Sequence, residues 1–246
     1  MGEAPGVARR VFVGFDPREM RASVVAEWSI RTRAADRVSV ERIGRLSLLR
    51  DYHRPTQEID GRLWDVISRA PMSTDHALAR FFIPYLCGYQ GWAVFMDGDV
   101  LVRRDIGELF ALADPQYAVQ VVQHPTLEDE GVKKGGEHMQ IPYPRKNWSS
   151  VILWNCGHPA NARLTVEVCN AWTGLELHGF RWLEDAEIGA LPPEWNYLVG
   201  VNPVQTDPAI CHYTLGIPDV CGYVGHFTDE WAAIARVAGY GVKVLR

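Results

Sequence analysis

The sequence has little that would tie it to a membrane, a nucleic acid or a disulfide framework. Its five cysteines, Cys87, Cys156, Cys169, Cys211 and Cys221, are an odd number and widely scattered, with none of the paired spacings of a zinc site. They read as reduced, mostly buried thiols, and the expected location is cytoplasmic. Met1 to Arg10 lacks the apolar stretch of a signal peptide, and no apolar run approaches transmembrane length. No integral membrane segment is therefore expected. Positive charge is not in excess either, since 25 Lys and Arg face 30 Asp and Glu, for a formal net charge of −5. That balance offers no footprint for nucleic acid, although it is compatible with one small phosphate-bearing ligand.

What is present suits an ordinary globular enzyme. The 246 residues are 47% hydrophobic and 22% charged, enough for a full core. Val11 to Phe15 predicts a first strand, followed by a helix from about Arg18 to Arg33 and a second strand over Arg37 to Arg45. Gln57 to Ser68 has the pattern of a helix. Ser73-Thr74-Asp75 would cap a stronger helix reaching about Tyr89, with Leu78, Phe81, Phe82, Tyr85 and Leu86 on its apolar face. Further elements are predicted as a helix over Asp105 to Ala113, strands over Ala118 to Gln123 and Ser150 to Trp154, and a helix over Pro159 to Trp172. Between them, Pro125 to Trp148 has three prolines and three glycines in 24 residues, and a loop of that length is usually functional. The βα alternation, without repeat or linker, predicts an α/β fold. One doubly wound domain over residues 1–246 is expected, with a mixed, mostly parallel sheet flanked by helices.

The most informative segment is Trp92-Ala93-Val94-Phe95-Met96-Asp97-Gly98-Asp99, an apolar run that ends in two carboxylates. It reads as a buried strand, and side chains at i and i+2 of an extended segment share a side. Asp97 and Asp99 can thus converge on one hard cation, Mg²⁺ or Mn²⁺, at the strand end where α/β sheets bind ligands. A solvated Asp-Gly turn is the alternative. His212 is a third candidate ligand, favouring Mn²⁺ if it binds, or else a structural histidine. Arg80 either snorkels to solvent or offers its planar fork to a carboxylate or phosphate. Glu184-Asp185-Ala186-Glu187 could serve a helix dipole, Arg145 and Lys146 read as solvated cations, and Trp148 and Trp195-Asn196-Tyr197 as core.

Taken together these residues resemble the family 8 glycosyltransferases, which have the GT-A fold, over roughly Val11 to Thr214. Phe95 to Val102 is similar to the family's Asp-x-Asp strand, and Ala79 to Leu86 to the helix whose arginine supports the donor. Trp148-Ser149-Ser150 resembles the Asn-Ser-Gly that contacts the donor sugar. Leu191 to Asn196 resembles Leu-Pro-x-x-Trp-Asn, and Cys211-His212-Tyr213 the site of the third metal ligand. The resemblance implies transfer of a hexose, most simply from a UDP-hexose, with retention at the anomeric carbon, to an unidentified glycan or small-molecule acceptor. It implies Mn²⁺ or Mg²⁺ on Asp97, Asp99 and His212. It places the nucleotide-sugar against Val13, Phe15, Asp16, Arg80, Asp97, Gly98, Asn147, Trp148, Ser149 and Gly216, with Asp185 near the reacting sugar carbon. The loop Pro125 to Trp148 would bind the acceptor and exclude water.

Two departures are notable. Trp148 stands where the family has asparagine, and Ile217-Pro218-Asp219 replaces the Lys-Pro-Trp whose lysine holds the departing diphosphate. They leave room for a nucleotide-sugar or glycan-binding protein of weak or lost turnover. A third reading, a haloacid-dehalogenase-like phosphatase using Asp97 as nucleophile, has against it the mid-chain position of the motif and the lack of a later Gly-Asp-x-x-x-Asp.

Overall fold

The computed structural model describes residues 9–125, 145–218 and 225–240. The chain opens with β1 (Arg9–Gly14), helix α1 (Met20–Arg33) and β2 (Val38–Ile43). There follow β3 (Thr56–Ile59), β4 (Arg62–Asp65), β5 (Ala70–Pro71), α2 (Ile83–Leu86), β6 (Trp92–Met96), β7 (Val100–Val102) and α3 (Ile106–Ala111). The remainder comprises β8 (Val119–Val121), β9 (Val151–Asn155), α4 (Val166–Ala171), α5 (Gly174–His178), β10 (Ile188–Ala190), β11 (Tyr197–Leu198), β12 (Ile210–His212) and α6 (Thr228–Val237).

The central sheet has the order β10-β8-β9-β6-β1-β2. Its pairs are parallel except where β9 runs antiparallel to β6 and β8, so the mixed, mostly parallel α/β sheet expected from the sequence is the one observed. Both faces are covered, which is why β1, β6 and β9 are apolar without alternation. Phe12, Phe95, Ile152 and Trp154 pack on one side with Phe81, Phe82 and Trp182. Val11, Val13, Val94, Met96, Val151 and Leu153 pack on the other with Ala26 and Ile30 of α1.

A second sheet, β11-β12-β7, adjoins the first. The chain leaves β6 at Met96 and enters β7 at Val100, so Asp97-Gly98-Asp99 forms the corner between the sheets. Gly98 is needed at this corner. A β-carbon there would stand 2.4 Å from the Gly14 carbonyl oxygen and 2.7 Å from Ser23 Oγ.

Three predicted helices differ from what is observed. Gln57 to Ser68 is instead the hairpin β3–β4. Asp60 and Gly61 both adopt positive φ, 50° and 71°, as a two-residue hairpin turn requires, and that turn signal outweighs the helical spacing. The helix expected from Ser73 to Tyr89 is a turn, a 3₁₀ segment Ala79–Phe82 and the single turn α2. Pro84 has no N–H and its ring would collide with the Arg80 carbonyl in a continuous α-helix. Pro159 to Trp172 divides into a 3₁₀ segment Pro159–Arg163 and α4, which Thr165 caps through its hydroxyl. Cys87, Cys156, Cys169 and Cys211 are free thiols, all but Cys87 buried; Cys221 lies outside the described residues. Among the described residues no helix is long and apolar enough to cross a membrane.

Candidate active site

Strand register assembles the candidate metal ligands. β12 runs antiparallel to β7 with His212 opposite Val100, and the Tyr213 N–H donates to the Asp99 carbonyl at 2.9 Å. This sets the imidazole beside the corner. Asp97, Asp99 and His212 each offer one atom to a cluster within 4.8 Å. His212 Nε2 lies 3.2 Å from Asp99 Oδ1 and 3.7 Å from Asp97 Oδ2.

The surroundings orient these ligands. His212 Nδ1 is 3.0 Å from Asn196 Oδ1, while Asn196 Nδ2 donates to Ser150 Oγ at 2.9 Å. With its amide nitrogen committed to Ser150, Asn196 presents an acceptor to His212, so Nδ1 carries the proton. The Nε2 atom is thereby turned toward two carboxylate oxygens. Three converging acceptors with a fixed outer-shell partner fit a divalent cation.

Asp97 is gripped from its other side. Arg80 Nη2 is 2.7 Å and His76 Nε2 3.1 Å from its Oδ1. Arg80 also donates from Nε to the Ala77 carbonyl and from Nη1 to the Ser149 carbonyl, and its guanidinium lies 4.5 Å over the Phe95 ring. The arginine left open between solvent and site is thus buried and fully engaged. Burial pushes the Asp97 carboxyl up, but the Arg80 charge and the His76 bond, with His212 adding, outweigh it and hold the carboxyl well below the usual range.

These groups line one cavity of about 400 Å³, together with Lys146, Asn147, Ser149, Ser150, His178 and Thr214, a volume suited to a small-molecule site. The β4–β5 hairpin and the start of α5 also line it, through Arg62, Ser68, Pro71, Thr173 and Leu175. The hairpin is anchored by a buried pair, Arg54 Nη2 to Asp65 Oδ2 at 2.6 Å. Ser149 Oγ meets His178 Nδ1 at 2.7 Å. Burial, then the Arg80 charge, push the His178 imidazole down to about 3, so it is neutral near pH 7.

The other expected site residues are placed less directly. Val13 is core, and half-buried Phe15 follows β1. The buried Asp16 carboxylate caps the turn at Pro17, accepting from Arg18 and from the Asp75 N–H. Trp148 is half-buried against the hydrophobic core, its indole N–H on the His124 carbonyl at 2.8 Å. Gly216 is buried with φ 132°. Asp185 is not brought to the cavity. Its side chain is 92% exposed and pairs with Arg145, whose Nη1 donates to the Gly179 carbonyl. The expected acceptor loop, Pro125 to Trp148, falls largely outside the described residues.

His76, His178 and Asn196 are the site residues that sequence reasoning missed, and Lys146 corrects an expectation of solvation, being only 6% exposed. Asn196 was legible only as part of Trp195-Asn196-Tyr197. His76 and His178 carry no spacing signal, because a turn and a separate one-turn helix deliver them.

No known family profile matches the chain. It is 43% identical to Protein CDI of Arabidopsis thaliana over 230 residues, which span 90% of this chain and 84% of that protein. The chain belongs to the CDI family. Among solved structures it is similar to the bifunctional glycosyltransferase WbbM, with TM-score 0.61 and 15% identity. It is also similar to the glycosyltransferase GlyE of Streptococcus pneumoniae TIGR4, with TM-score 0.57 and 16% identity, and to LgtC, with TM-score 0.56 and 13% identity. These matches cover 96%, 94% and 93% of this chain. The chain spans half of WbbM and 60% of GlyE, but 95% of LgtC. This CDI-family chain therefore has the GT-A-like fold of the glycosyltransferases.

Proposed function

We propose that the protein is a glycosyltransferase of the family 8 type, metal-dependent and retaining. It moves a hexose from a nucleotide-sugar, most simply a UDP-hexose with Mn²⁺, to a glycan or small-molecule acceptor. The observation that carries this reading is the convergence of Asp97, Asp99 and His212 in a cavity at the end of the central strand. LgtC, a galactosyltransferase with a structure in complex with donor and acceptor sugar analogues, has this fold, which supports the same class of substrates.

In this reading Asp97, Asp99 and His212 hold the ion, which when bound would stabilise diphosphate charge as a Lewis acid. Arg80 and His76 fix the Asp97 carboxylate, and Asn196 fixes the tautomer and plane of His212. Asn147 and Ser149 face the sugar, and the end of β1 at Phe15 and Asp16 borders the nucleotide. Neutral His178 keeps the Ser149 hydroxyl oriented. The exposed position of Asp185 favours a contact made only when the acceptor closes the site, or none.

Incubation with a panel of nucleotide-sugars and Mn²⁺ or Mg²⁺ tests the reading. Release or transfer of the sugar is expected with a UDP-hexose, is lost in EDTA, and collapses in Asp97→Ala and Asp99→Ala proteins that still fold. Activity unchanged by EDTA, or no response to any nucleotide-sugar, overturns it. The placement of Asp185 and the apolar Ile217 favour a second reading, a donor-binding protein of weak turnover. Metal-dependent donor binding without product would establish that one.

A further inference from the structure

We propose that Cys87 and Cys156 form a peroxide-reactive dithiol, with Cys87 the attacking sulfur and Cys156 the resolving one. The pair stands at the amino end of β6, whereas Asp97 and Asp99 follow its carboxyl end. It is thus separate from the candidate active site and does not depend on glycosyl transfer.

Two segments bring the sulfurs together. Cys87 follows the last residue of α2, and its N–H donates to the Ile83 carbonyl at 2.9 Å. Cys156 follows Asn155, which strand pairing sets opposite Trp92, the first residue of β6. The chain after Cys156 packs on the turn between α2 and β6, since a β-carbon on Gly157 would stand 3.6 Å from the Gly91 nitrogen. Cys156 is a buried member of the apolar cluster against which Cys87 packs. Its thiol donates a hydrogen bond to the Cys87 sulfur. Sulfurs already in contact need little backbone movement to bond.

The surroundings make the two thiols unequal. Arg10 Nη1 lies 3.5 Å from Cys87 Sγ and donates to the Leu86 carbonyl at 2.7 Å. Glu41 accepts from Arg10 Nε at 2.9 Å and from Nη2 at 3.0 Å, and the guanidinium lies 4.7 Å over the Phe12 ring. The cation is therefore fixed beside the sulfur. The bond from Cys156, with the Arg10 charge adding, outweighs burial and the Glu41 charge and holds the Cys87 thiol below its ordinary value. The same bond, with burial, pushes Cys156 up. Cys87 is half-buried and Cys156 buried, so a small oxidant meets Cys87 first. A thiolate beside a cation is the reactive form of cysteine. Burial pushes Cys169 and Cys211 up to about 12, which leaves those thiols inert.

The co-reactant is a small hydroperoxide, in the simplest case hydrogen peroxide. The Cys87 sulfur attacks one peroxide oxygen. The S–O bond forms as the O–O bond breaks, and the Cys87 proton leaves with the departing oxygen as water. The Cys156 sulfur then attacks the Cys87 sulfur. The S–S bond forms as the S–O bond breaks, and the Cys156 proton leaves with the hydroxyl as a second water. Two thiols are oxidised to one disulfide while one peroxide is reduced to two waters.

Peptide mass mapping of the reduced full chain, after brief hydrogen peroxide treatment and alkylation, tests this. A linked Cys87–Cys156 peptide is expected, and dithiothreitol should remove it. In Cys156→Ser the reaction should stop at the Cys87 sulfenic acid, which dimedone labels. Arg10→Met should slow iodoacetamide alkylation of Cys87 by about 3- to 10-fold at neutral pH, and Arg10→Gln repeats the measurement if the methionine variant melts early. Recovery of Cys87 and Cys156 as free thiols after peroxide, or a disulfide from either of them to another cysteine, overturns the pair. A Cys87 sulfenic acid that persists in the wild type overturns the role of Cys156. Alkylation unchanged by loss of the Arg10 cation overturns the activation of Cys87.

Discussion

Arg80 Nη2 lies 2.7 Å from Asp97 Oδ1 at the carboxyl end of β6, with both groups sheltered from solvent. The pair is structural and functional at once, because it commits one carboxylate oxygen to the protein and leaves the other facing His212. Removing the cation would strand a buried charge, which typically costs about 3–5 kcal/mol. Arg80→Met should therefore lower stability by about 3 kcal/mol or more, read from urea melts at neutral pH. Arg80→Lys should recover only part of this, since a lysine cannot reach two carbonyls and a carboxylate with one planar fork. Wild-type stability in both variants would mean that the pair is not formed.

Asn196 supplies no ligand atom, yet it should control metal affinity. Loss of an outer-shell partner of a ligating histidine usually weakens binding by about 10- to 100-fold. Asn196→Ala is expected to show a loss of that order in a calorimetric Mn²⁺ titration. If the alanine variant binds Mn²⁺ as the wild type does, the orientation of His212 does not depend on Asn196.

The parts of this architecture that were readable from sequence are those set by runs of apolar residues. Val11 to Phe15 and Trp92 to Met96 are buried on both faces, so their composition alone marks them as central strands. Asp97, Asp99 and His212 were readable as candidate ligands because carboxylates at a strand mouth require compensation. That they meet depends on the register between β7 and β12, three residues each and about 110 positions apart, and no local pattern encodes it. The 3₁₀ path around Arg80 was hidden because Phe81, Phe82 and Leu86 keep a helical spacing while Pro84 forbids the helix. The burial of Lys146 was hidden for another reason. Left-handed backbone at Arg145 and Asn147 is a tertiary outcome, and neither residue announces it.

Acid should destabilise the fold earlier than ordinary carboxylate titration would. Burial pushes His124 down to about 4, and burial with the Arg80 charge pushes His178 down to about 3. Both start from an ordinary value of 6.5. The unfolded chain thus binds protons that the folded chain refuses, so stability is whole above about pH 6.5 and falls as pH drops. Each histidine contributes a slope of up to about 1.4 kcal/mol per pH unit, ending near pH 4 for His124 and near pH 3 for His178. Denaturant melts between pH 7.5 and 4.5 should show this, and His124→Gln should flatten the curve. A variant curve that parallels wild type would remove His124 from the explanation.

Gly14 and His76 should prove coupled although they belong to distant parts of the chain. A β-carbon on Gly14 would stand 2.5 Å from His76 Cδ2, so the absent side chain makes the space in which the imidazole reaches Asp97. Gly14→Ala must displace that ring, and overpacking of this kind costs about 1–3 kcal/mol. Mn²⁺ affinity should also fall, because Asp97 loses one of the two groups that fix its Oδ1. His76→Ala removes the obstacle, so the double variant should be more stable than the sum of the two single losses predicts. Contacting residues show such non-additivity at about 0.5–3 kcal/mol. Additive losses in a double-mutant cycle of urea melts would show that Gly14 is required for its approach to β6 or α1 and not for the seat of His76.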